Sequence, residues 1–440
     1  MKKSKYNIII RRENASLIFN SFTNSYLAIS NQVCDAFESF TIEDFSLKYK
    51  KSYHKMCSLG VLIPVSKDEL SEIRYKNKIA AFNSRELRIV VYPTQDCNLK
   101  CWYCYENHIP HTLMKQETID RIIKYVEKSV AKNTFDEIYV TLFGGEPFIH
   151  FDTIAYPLLS KIKKMVENVG KTFSCFFVTN ASLIDEKIII KLKRLKPHFQ
   201  ITLDGDKERH DQVRIWKNGN KPTFEHILWV VHRLCSGIDG ENFFLTLRIN
   251  YDNITLKSLP QVLEKIKDID RKKVYIHFER VWQTEGESTK EDKDLFRQIL
   301  RKFIEAGFCV NQGTFRGYPY SCPSDTRSSI VINYDGTIHK CNGRTLSKQT
   351  QYGVLNEDGT LNIDEGKMAK RLSIATFEHK ECLHCKMLPV CMGPCSQKLL
   401  EMDGKWSKEI CSMESIDTSL SDYLLMDFWV KNMVEKYNKQ

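Results

Sequence analysis

The sequence lacks any long apolar run. None of its 440 residues belongs to an uninterrupted hydrophobic stretch near the ~18 residues that a membrane-spanning helix needs. The first residues, Met1–Lys5, are basic, but charges interrupt the next segment too early for the hydrophobic part of a secretory signal. We therefore expect a cytoplasmic, reduced protein without a membrane partner.

Cysteine is present at a low density. The 15 cysteines among 440 residues fall well below the about 8–10% that is typical of small disulfide-bonded scaffolds. In a reducing compartment, grouped cysteines indicate metal or redox chemistry more often than disulfides. The hydrophobic fraction of 42% excludes a disordered chain, and the length predicts roughly two to four domains.

A nucleic-acid-binding motif with interleaved aromatic residues is missing as well. The chain carries 65 Lys and Arg against 55 Asp and Glu, a net charge of +10, but the basic residues are spread along the sequence. Such a surface suits an acidic peptide better than a nucleic acid, so we expect no nucleic-acid partner.

Ten of the cysteines fall into two groups. The first follows the spacing CxxxCxxC and comprises Cys97, Cys101 and Cys104. The second group lies towards the C-terminus: Cys322, Cys341, Cys382, Cys385, Cys391, Cys395 and Cys411. The other five are predicted to be buried small hydrophobic residues: Cys34, Cys57, Cys175, Cys235 and Cys309.

Three thiolates on one short loop predict a metal centre with an open corner. Thiolates select zinc, Cu(I) or iron–sulfur centres, and three ligands complete neither a structural zinc site nor a four-cysteine cluster. Two zinc alternatives stay open: His108 or His111 completing a site at the first loop, and a zinc ribbon at Cys382–Cys395.

Strands and helices alternate after residue 85. Strands are predicted at 86–93, 138–143, 173–179, 199–203, 243–250 and 274–281, with helices between them, including one at 152–168. Six alternating strands predict a parallel α/β sheet that forms a partial or full barrel. Function in such folds lies at the C-terminal strand ends, where the cysteine loop, Gly144–Glu146 and Leu203–Gly205 fall.

The N-terminal part carries no catalytic motif. Short strands are predicted at 6–11, 15–20 and 26–30, followed by helices at 31–40 and 42–59 and a linker helix at 67–85.

These motifs together resemble the radical S-adenosylmethionine (SAM) enzymes. Cys97, Cys101 and Cys104, with Tyr103, match the signature of that family, and Gly144–Pro147 resembles its GGEP motif. Thr179–Asn180 and Thr202–Gly205 end the third and fourth strands, and His210 and Arg214 follow, as in the peptide-modifying branch. The seven C-terminal cysteines resemble a SPASM domain. The resemblance covers about residues 86–415.

The resemblance implies three domains. The expected fold is α/β: a partial (β/α)6 TIM-like barrel over residues 81–308, preceded by a winged-helix-like leader-binding domain over 1–80. A SPASM iron–sulfur domain with a C-terminal helix is expected over 309–440.

The implied cofactors are SAM and three 4Fe-4S clusters. Cys97, Cys101 and Cys104 would hold the SAM-binding cluster. The implied SAM contacts are Tyr103, Gly144, Gly145, Glu146, Asn180, Thr202, Asp204 and Arg214, with Asn250 as a weaker candidate. The implied distal auxiliary ligands are Cys382, Cys385, Cys391 and Cys411, and the proximal ones are Cys322, Cys341 and Cys395.

Two parts of this site stay open. The fourth proximal ligand is Cys309, Asp325, the substrate or none. No catalytic acid or base is singled out, because alternation alone does not say which of His277, Glu279 and Arg280 points inward.

The implied function is a maturase that cleaves SAM reductively to a 5′-deoxyadenosyl radical and modifies a ribosomally made peptide, forming a thioether or carbon–carbon crosslink. Its partners would be a precursor peptide, bound through its leader, and an electron donor such as flavodoxin or ferredoxin. Two alternatives remain: an anaerobic sulfatase-maturing enzyme that makes formylglycine from Cys or Ser, and a non-enzymatic leader-binding or electron-relay protein.

Overall fold

The computed structural model describes residues 1–438, except 84, 220, 239–242, 284–288, 313–319, 375, 415 and 417. The N-terminal elements are β1 (Lys2–Lys3), β2 (Asn7–Arg11), β3 (Ser16–Asn20), β4 (Ser25–Ile29), α1 (Asn31–Ser39), α2 (Ile42–Lys48), α3 (Lys50–Ser58), β5 (Leu62–Ile63) and α4 (Glu69–Phe82). β2, β3 and β4 form an antiparallel sheet, as the three predicted strands require, and β1 pairs with β5.

The prediction of one helix over 42–59 is wrong, because the chain forms two helices that meet at Tyr49. The φ of −123° and ψ of 49° at Tyr49 interrupt the helical hydrogen bonding. Its ring stacks on Phe45 with centroids 5.3 Å apart, so side-chain packing stabilises the break.

The middle of the chain alternates strands and helices. Its elements are β6 (Glu86–Val91), α5 (Gln116–Ala131), β7 (Glu137–Leu142), α6 (Tyr156–Glu167), β8 (Thr172–Thr179), α7 (Glu186–Leu195), β9 (His198–Thr202), α8 (Lys207–Val213), α9 (Phe224–Gly237), β10 (Leu245–Tyr251), α10 (Asn253–Ile266), β11 (Val274–Arg280), α11 (Lys290–Glu305) and β12 (Cys309–Gln312). All six predicted strands are confirmed. The helix expected from residue 152 begins at Tyr156, since a 3-10 turn and a π turn occupy 147–155.

The last elements are β13 (Ser329–Ile332), β14 (Thr337–His339), β15 (Gln351–Leu355), β16 (Leu361–Ile363), α12 (Glu365–Ser373), α13 (Lys380–His384), α14 (Leu388–Cys391), α15 (Ser396–Glu401) and α16 (Leu420–Asn438). Within the described residues, the largest sheet has eleven strands in the order β12-β11-β10-β9-β8-β7-β6-β13-β14-β15-β16. Its strands from β12 to β13 run parallel, which confirms the α/β class and adds β12 and β13 to the predicted six.

Side chains alternate along the parallel strands between a buried and a half-buried face. Ile138, Val140 and Leu142 of β7 are fully buried, whereas the residues between them are partly exposed. The buried residues are β-branched or branched aliphatic, which favours strands packed beneath helices. The half-buried face is therefore the open face of the sheet.

The chain divides into two compact units. The first comprises Met1–Phe82, Thr314–Cys322 and Arg371–Phe428, and the second comprises Asn83–Gly313, Pro323–Lys370 and Trp429–Gln440. The parallel sheet lies in the second unit. In the part of the chain that the structure describes, no helix combines the length and the apolar character needed to cross a membrane.

The first unit brings the two ends of the chain into shared cores. Tyr6, Phe22 and Ile73 pack with Phe377 and Cys382 in one buried cluster. A second cluster joins strands β2 and β3 to the same C-terminal segment: Ile10, Leu17, Phe19, Met387, Cys391 and Leu424. The N-terminal elements and the C-terminal cysteine segment therefore fold as one body.

Candidate functional site

The C-terminal ends of the neighbouring strands β6 to β11 bring most of the singled-out residues of the barrel to one edge of the sheet. The cysteine loop follows β6, and Gly144–Glu146 follows β7. Asn180 follows β8 and Asp204 follows β9, while Asn250 and Glu279 end β10 and β11. This is the edge at which parallel α/β sheets carry their ligands.

The Gly-Gly turn is pressed against the residue before the first clustered cysteine. A Cβ on Gly145 would lie 1.9 Å from the main-chain oxygen of Asp96. Gly144 has a φ of +98°, which favours glycine. The main-chain N–H of Glu146 donates to the Asp96 oxygen at 2.9 Å, so only small residues allow this approach.

Glu146 is fully buried and holds two strand ends together. Its Oε1 accepts hydrogen bonds from the Phe148 N–H at 3.0 Å and from Thr179 Oγ1 at 2.7 Å. Its Oε2 accepts from the Asn180 N–H at 2.7 Å. Burial raises the pKa of Glu146 to about 7, although these three donors oppose the rise. The carboxylate thus ties the end of β7 to the end of β8.

Asn180 lies beside the first clustered cysteine. Its Nδ2 donates to Asn98 Oδ1 at 2.9 Å and lies 3.7 Å from Cys97 Sγ. The next residue, Ala181, has a left-handed φ of 59°, a conformation that costs a non-glycine residue roughly 1–2 kcal/mol. The strand end therefore carries local strain where it meets the cysteine loop.

Tyr103 is the centre of a buried polar network. Its hydroxyl donates to Asp204 Oδ2 and accepts from Arg214 Nη1 at 2.8 Å and from Asn250 Nδ2 at 3.3 Å. Asp204 also forms an ion pair with Arg214 at 3.5 Å. Burial raises the pKa of Asp204, whereas the Arg214 charge lowers it.

His210 and Arg214 determine which charges lie beside this network. His210 accepts the Asp204 N–H on Nδ1 at 3.1 Å, and burial holds its pKa well below the usual range, so the ring is neutral. Arg214 is 6% exposed, and its buried Nε has no hydrogen-bond partner among the described residues. A buried guanidinium N–H of this kind fits an anionic ligand group.

The structure decides which side chains of β11 share the open face with their neighbours. Thr202, Arg248 and His277 stand at paired positions of β9, β10 and β11 on that face. Glu279 Oε2 lies 3.2 Å from His277 Nε2 and 3.9 Å from Arg248 Nη2. Arg280 falls on the alternate position of the strand.

Arg248 connects Glu279 to the Tyr103 network and was missed from the sequence. Its Nε donates to Asn250 Oδ1 at 2.8 Å, and Asn250 contacts Tyr103. Its position two residues before Asn250 was the available signal, since residues i and i+2 of a strand share a face.

The cysteine loop is fixed against the segment after α8. Leu99 and Trp216 form an antiparallel bridge, and the Lys100 N–H donates to the Ile215 oxygen at 2.8 Å. Cys97 is buried, Cys101 is half-buried and Cys104 is exposed.

Burial raises the pKa of each of these three thiols, that of Cys104 to about 11. Of the two histidines considered for zinc, His108 places Nε2 3.5 Å from Cys104 Sγ, whereas the His111 N–H donates to Asp96.

The donor set fits an iron–sulfur cluster with bound SAM. In the described residues, no group of three His, Cys, Asp or Glu side chains is arranged as one metal ion requires. The thiolates of a four-iron cluster bind different irons and so lie farther apart than the ligands of one ion. The three loop cysteines, the close Gly145 turn and the unpartnered Arg214 Nε agree with a cluster and an anionic ligand at this edge.

Four C-terminal cysteines lie in the first unit as a neighbouring set. Burial, followed by the charges of Cys391, Cys411 and Cys385, raises the pKa of Cys382 to about 12. Of the other three, Cys322 and Cys395 belong to the first unit and Cys341 to the second. Cys309 lies in β12, opposite Tyr275, and Asp325 ends a 3-10 turn.

The class of protein follows from the fold, the site and a family match together. Residues 91–266 match the model of the Radical SAM superfamily. Residues 91–266 therefore carry a radical SAM domain, and the relatives that match the chain include enzymes of that superfamily.

Individual relatives are similar over most of the chain. Radical SAM cyclopropyl synthase TigE of Paramaledivibacter caminithermalis is 24% identical over 443 residues, which covers 89% of each chain. A cysteine-type anaerobic sulfatase-maturating enzyme of Clostridium novyi is 21% identical, covering 71% of this chain and 88% of its own.

Two solved structures share the fold. SuiB of Streptococcus suis bound to S-adenosylmethionine has a TM-score of 0.53 at 15% identity and covers 93% of this chain and 100% of its own. The structure described as anSMEcpe with bound AdoMet and a peptide has a TM-score of 0.55 at 19% identity, covering 80% and 99%.

Proposed function

We propose that this protein is a radical SAM maturase that modifies a ribosomally made peptide, forming a thioether or carbon–carbon crosslink. The extent of the matches carries this proposal. In sequence, TigE aligns with 89% of the chain and the sulfatase-maturating relative with 71%. In structure, SuiB covers 93% of the chain and anSMEcpe covers 80%. One SuiB structure contains the precursor peptide SuiA, at a TM-score of 0.51.

The cofactors occupy the edge of the sheet built around Tyr103. When bound, the cluster and SAM supply the reductive cleavage that generates the 5′-deoxyadenosyl radical. Cys97, Cys101 and Cys104 hold the cluster, and the Gly144–Gly145 turn keeps the backbone close to it. Arg214 Nε would bind the SAM carboxylate, and Thr202 and Asp204 would bond the ribose hydroxyls.

Glu146 and Asn180 position the strand ends and the cysteine loop in this proposal. The Glu146 carboxylate accepts hydrogen bonds from three donors of the chain, so Glu146 shapes the turn rather than binding SAM directly. Asn180 orients Cys97 through its side-chain amide. Tyr103 holds Asp204 and Arg214 in place.

The C-terminal cysteines hold two auxiliary clusters in a SPASM domain over 309–440. Cys382, Cys385, Cys391 and Cys411 bind the distal cluster, and Cys322, Cys341 and Cys395 bind the proximal one. The mutual influence of the four distal thiols on the Cys382 pKa supports the first set. An external electron donor such as flavodoxin or ferredoxin reduces the enzyme.

The N-terminal domain over 1–80 binds the leader of the precursor. Support comes from its architecture: a three-stranded antiparallel sheet packed on α1, α2 and α3 around Ile18, Phe37 and Phe45. Among the described strands, β2 and β4 each pair with β3 alone. An outer strand with unpaired backbone groups binds an extended peptide by strand addition.

Sulfatase maturation is the second candidate, because two cysteine-type anaerobic sulfatase-maturating enzymes are among the sequence relatives. The chain is co-expressed anaerobically either with each short open reading frame found next to its gene or with a sulfatase peptide containing the target Cys or Ser. Mass spectrometry of a crosslinked peptide, which lacks two hydrogen atoms per new bond, supports the proposal. Formylglycine in the sulfatase peptide with no change in the other peptide overturns it.

Glu279 gives a prediction about the substrate side of this site. Its carboxylate projects on the open face, and Oε1 accepts no hydrogen bond from any described residue. We expect this oxygen to accept a hydrogen bond from the peptide. Glu279→Gln removes the charge and lowers the amount of peptide product per 5′-deoxyadenosine about tenfold, as expected for the loss of a charged hydrogen bond.

The matched control is Glu86→Gln. Glu86 pairs with Arg88 at 2.6 Å at the opposite, N-terminal end of the parallel strands, so its neutralisation leaves the product ratio at the wild-type value. Equal ratios in the two variants contradict a substrate role for Glu279.

A further inference from the structure

The loop that contains Cys104 is hydrogen-bonded to the loop that contains Cys341. Tyr105 directly follows Cys104, and its hydroxyl donates to the main-chain oxygen of Asn342 at 2.8 Å. Asn342 directly follows Cys341. In the opposite direction, Thr345 Oγ1 donates to the main-chain oxygen of Tyr105 at 3.0 Å. All of these residues belong to the second unit.

A second phenol reaches the same carbonyl. Tyr92 follows β6 and is 1% exposed; its hydroxyl lies 3.4 Å from the Asn342 oxygen and 3.0 Å from Glu106 Oε1. The ring packs with Val331 and Leu346, which belong to the chain on either side of Asn342. The Asn342 oxygen thus accepts the Tyr105 hydrogen bond, and the Tyr92 hydroxyl, whose single hydrogen has Glu106 Oε1 as its nearer acceptor, makes a longer second contact.

These contacts have no role in the site as proposed so far. Neither phenol lies within the Tyr103 network, and Asn342 contributes only its backbone oxygen. If Tyr105 stabilised only the Cys97–Cys104 loop, its hydroxyl would not need to bond Asn342, which belongs to the Cys341 loop. Because each bonded group belongs to the residue directly after a cysteine, the contact couples the positions of Cys104 and Cys341 through few rotatable bonds.

We propose that Tyr105 is a positioning residue that fixes the Cys341 loop against the Cys97–Cys104 loop, with Tyr92 as the second, supporting contact. The consequence is that the auxiliary cluster bound through Cys341 is held in a set position relative to the SAM-binding cluster. This inference rests on the proposed function, since that function makes both cysteine sets cluster ligands.

Hydrogen–deuterium exchange of the full-length, anaerobically iron-loaded protein tests the inference. Tyr105→Phe keeps the ring and removes the hydroxyl, so we expect amides in residues 341–347 to exchange about tenfold faster than in the wild type. Tyr92→Phe produces a smaller acceleration in the same peptides, and the double variant exceeds both. Iron content and circular dichroism of each variant verify that it is folded and loaded.

Tyr139→Phe is the matched control. Tyr139 lies in β7 near Glu137, towards the other end of the parallel strands, and its loss of a hydroxyl leaves exchange at 341–347 unchanged. Unchanged exchange at 341–347 in both Tyr105→Phe and the double variant overturns the inference.

The two clusters supply a second readout in the same samples. Magnetic coupling between the reduced clusters, measured by electron paramagnetic resonance, becomes weaker or more heterogeneous in Tyr105→Phe if the loop is released. Coupling identical to that of the wild type overturns the positioning role. Wild-type protein that binds the iron of only one cluster rejects the proposed function instead, while the exchange data still decide whether Tyr105 fixes the loop.

Discussion

Replacing Cys97, Cys101 and Cys104 together by alanine abolishes the release of 5′-deoxyadenosine from SAM, while the chain keeps about eight of roughly twelve iron atoms. The three thiols lie on one loop, pinned by Leu99 and Lys100 against 215–217, and the variant removes every thiol of that loop. The distal set lies in the other unit, so its cluster survives the change.

Iron content, absorbance spectra and chromatographic measurement of 5′-deoxyadenosine under reducing, anaerobic conditions check this result. Cys57→Ala is the control, since Cys57 is a partly buried cysteine packed in the N-terminal core with no proposed cluster role. SAM cleavage by the triple variant at a measurable rate contradicts the assignment of the loop.

Gly145→Ala is expected to lower the rate of SAM cleavage about 100-fold and to weaken SAM binding. The added Cβ would lie 1.9 Å from the Asp96 oxygen and 2.3 Å from its carbonyl carbon, so the backbone must move. Asp96 immediately precedes Cys97, and displacements of about 1 Å at a reacting centre cost enzymes a factor of about 100. The defect is thus transmitted to the cysteine loop without any change in its ligands.

Gly237→Ala provides the comparison for this variant. Gly237 ends α9, its φ lies outside the left-handed region, and an added Cβ would approach Lys193 no closer than 3.5 Å. Equilibrium dialysis with labelled SAM separates binding from turnover in both variants. Wild-type affinity and rate in Gly145→Ala would show that the close approach of the turn is dispensable.

The parallel sheet was predictable because its strands are short apolar runs separated by helical periodicity. The strand-end motifs follow from the same reading, since parallel strands present their C-terminal ends at one edge. Sequence alone did not reveal what Glu146 contacts. Its partners Thr179 and Asn180 come from the neighbouring strand, and only the register of β7 and β8 makes them donors to its carboxylate.

Other differences have the same origin in tertiary packing. The helical spacing of 42–59 continues through Tyr49, but stacking on Phe45 stabilises a break that periodicity does not contain. Alternation along β11 defines two faces but does not say which one is the open face. The pairing of His277 with Arg248 in the sheet places His277 on the open face. The bonds from Tyr92 and Tyr105 to Asn342 join residues more than 230 positions apart, beyond any local pattern.

The shared cores of the first unit determine when the N-terminal elements can finish folding during synthesis. Residues 1–82 leave the ribosome before their packing partners Phe377, Met387 and Leu424, which lie about 290 or more residues later in the chain. At about 5–20 residues per second, the nascent N-terminal segment waits tens of seconds with Tyr6, Ile10 and Phe19 uncovered. The parallel sheet can form during that interval, so residues 1–82 reach their final packing only after residues 371–428 have been made.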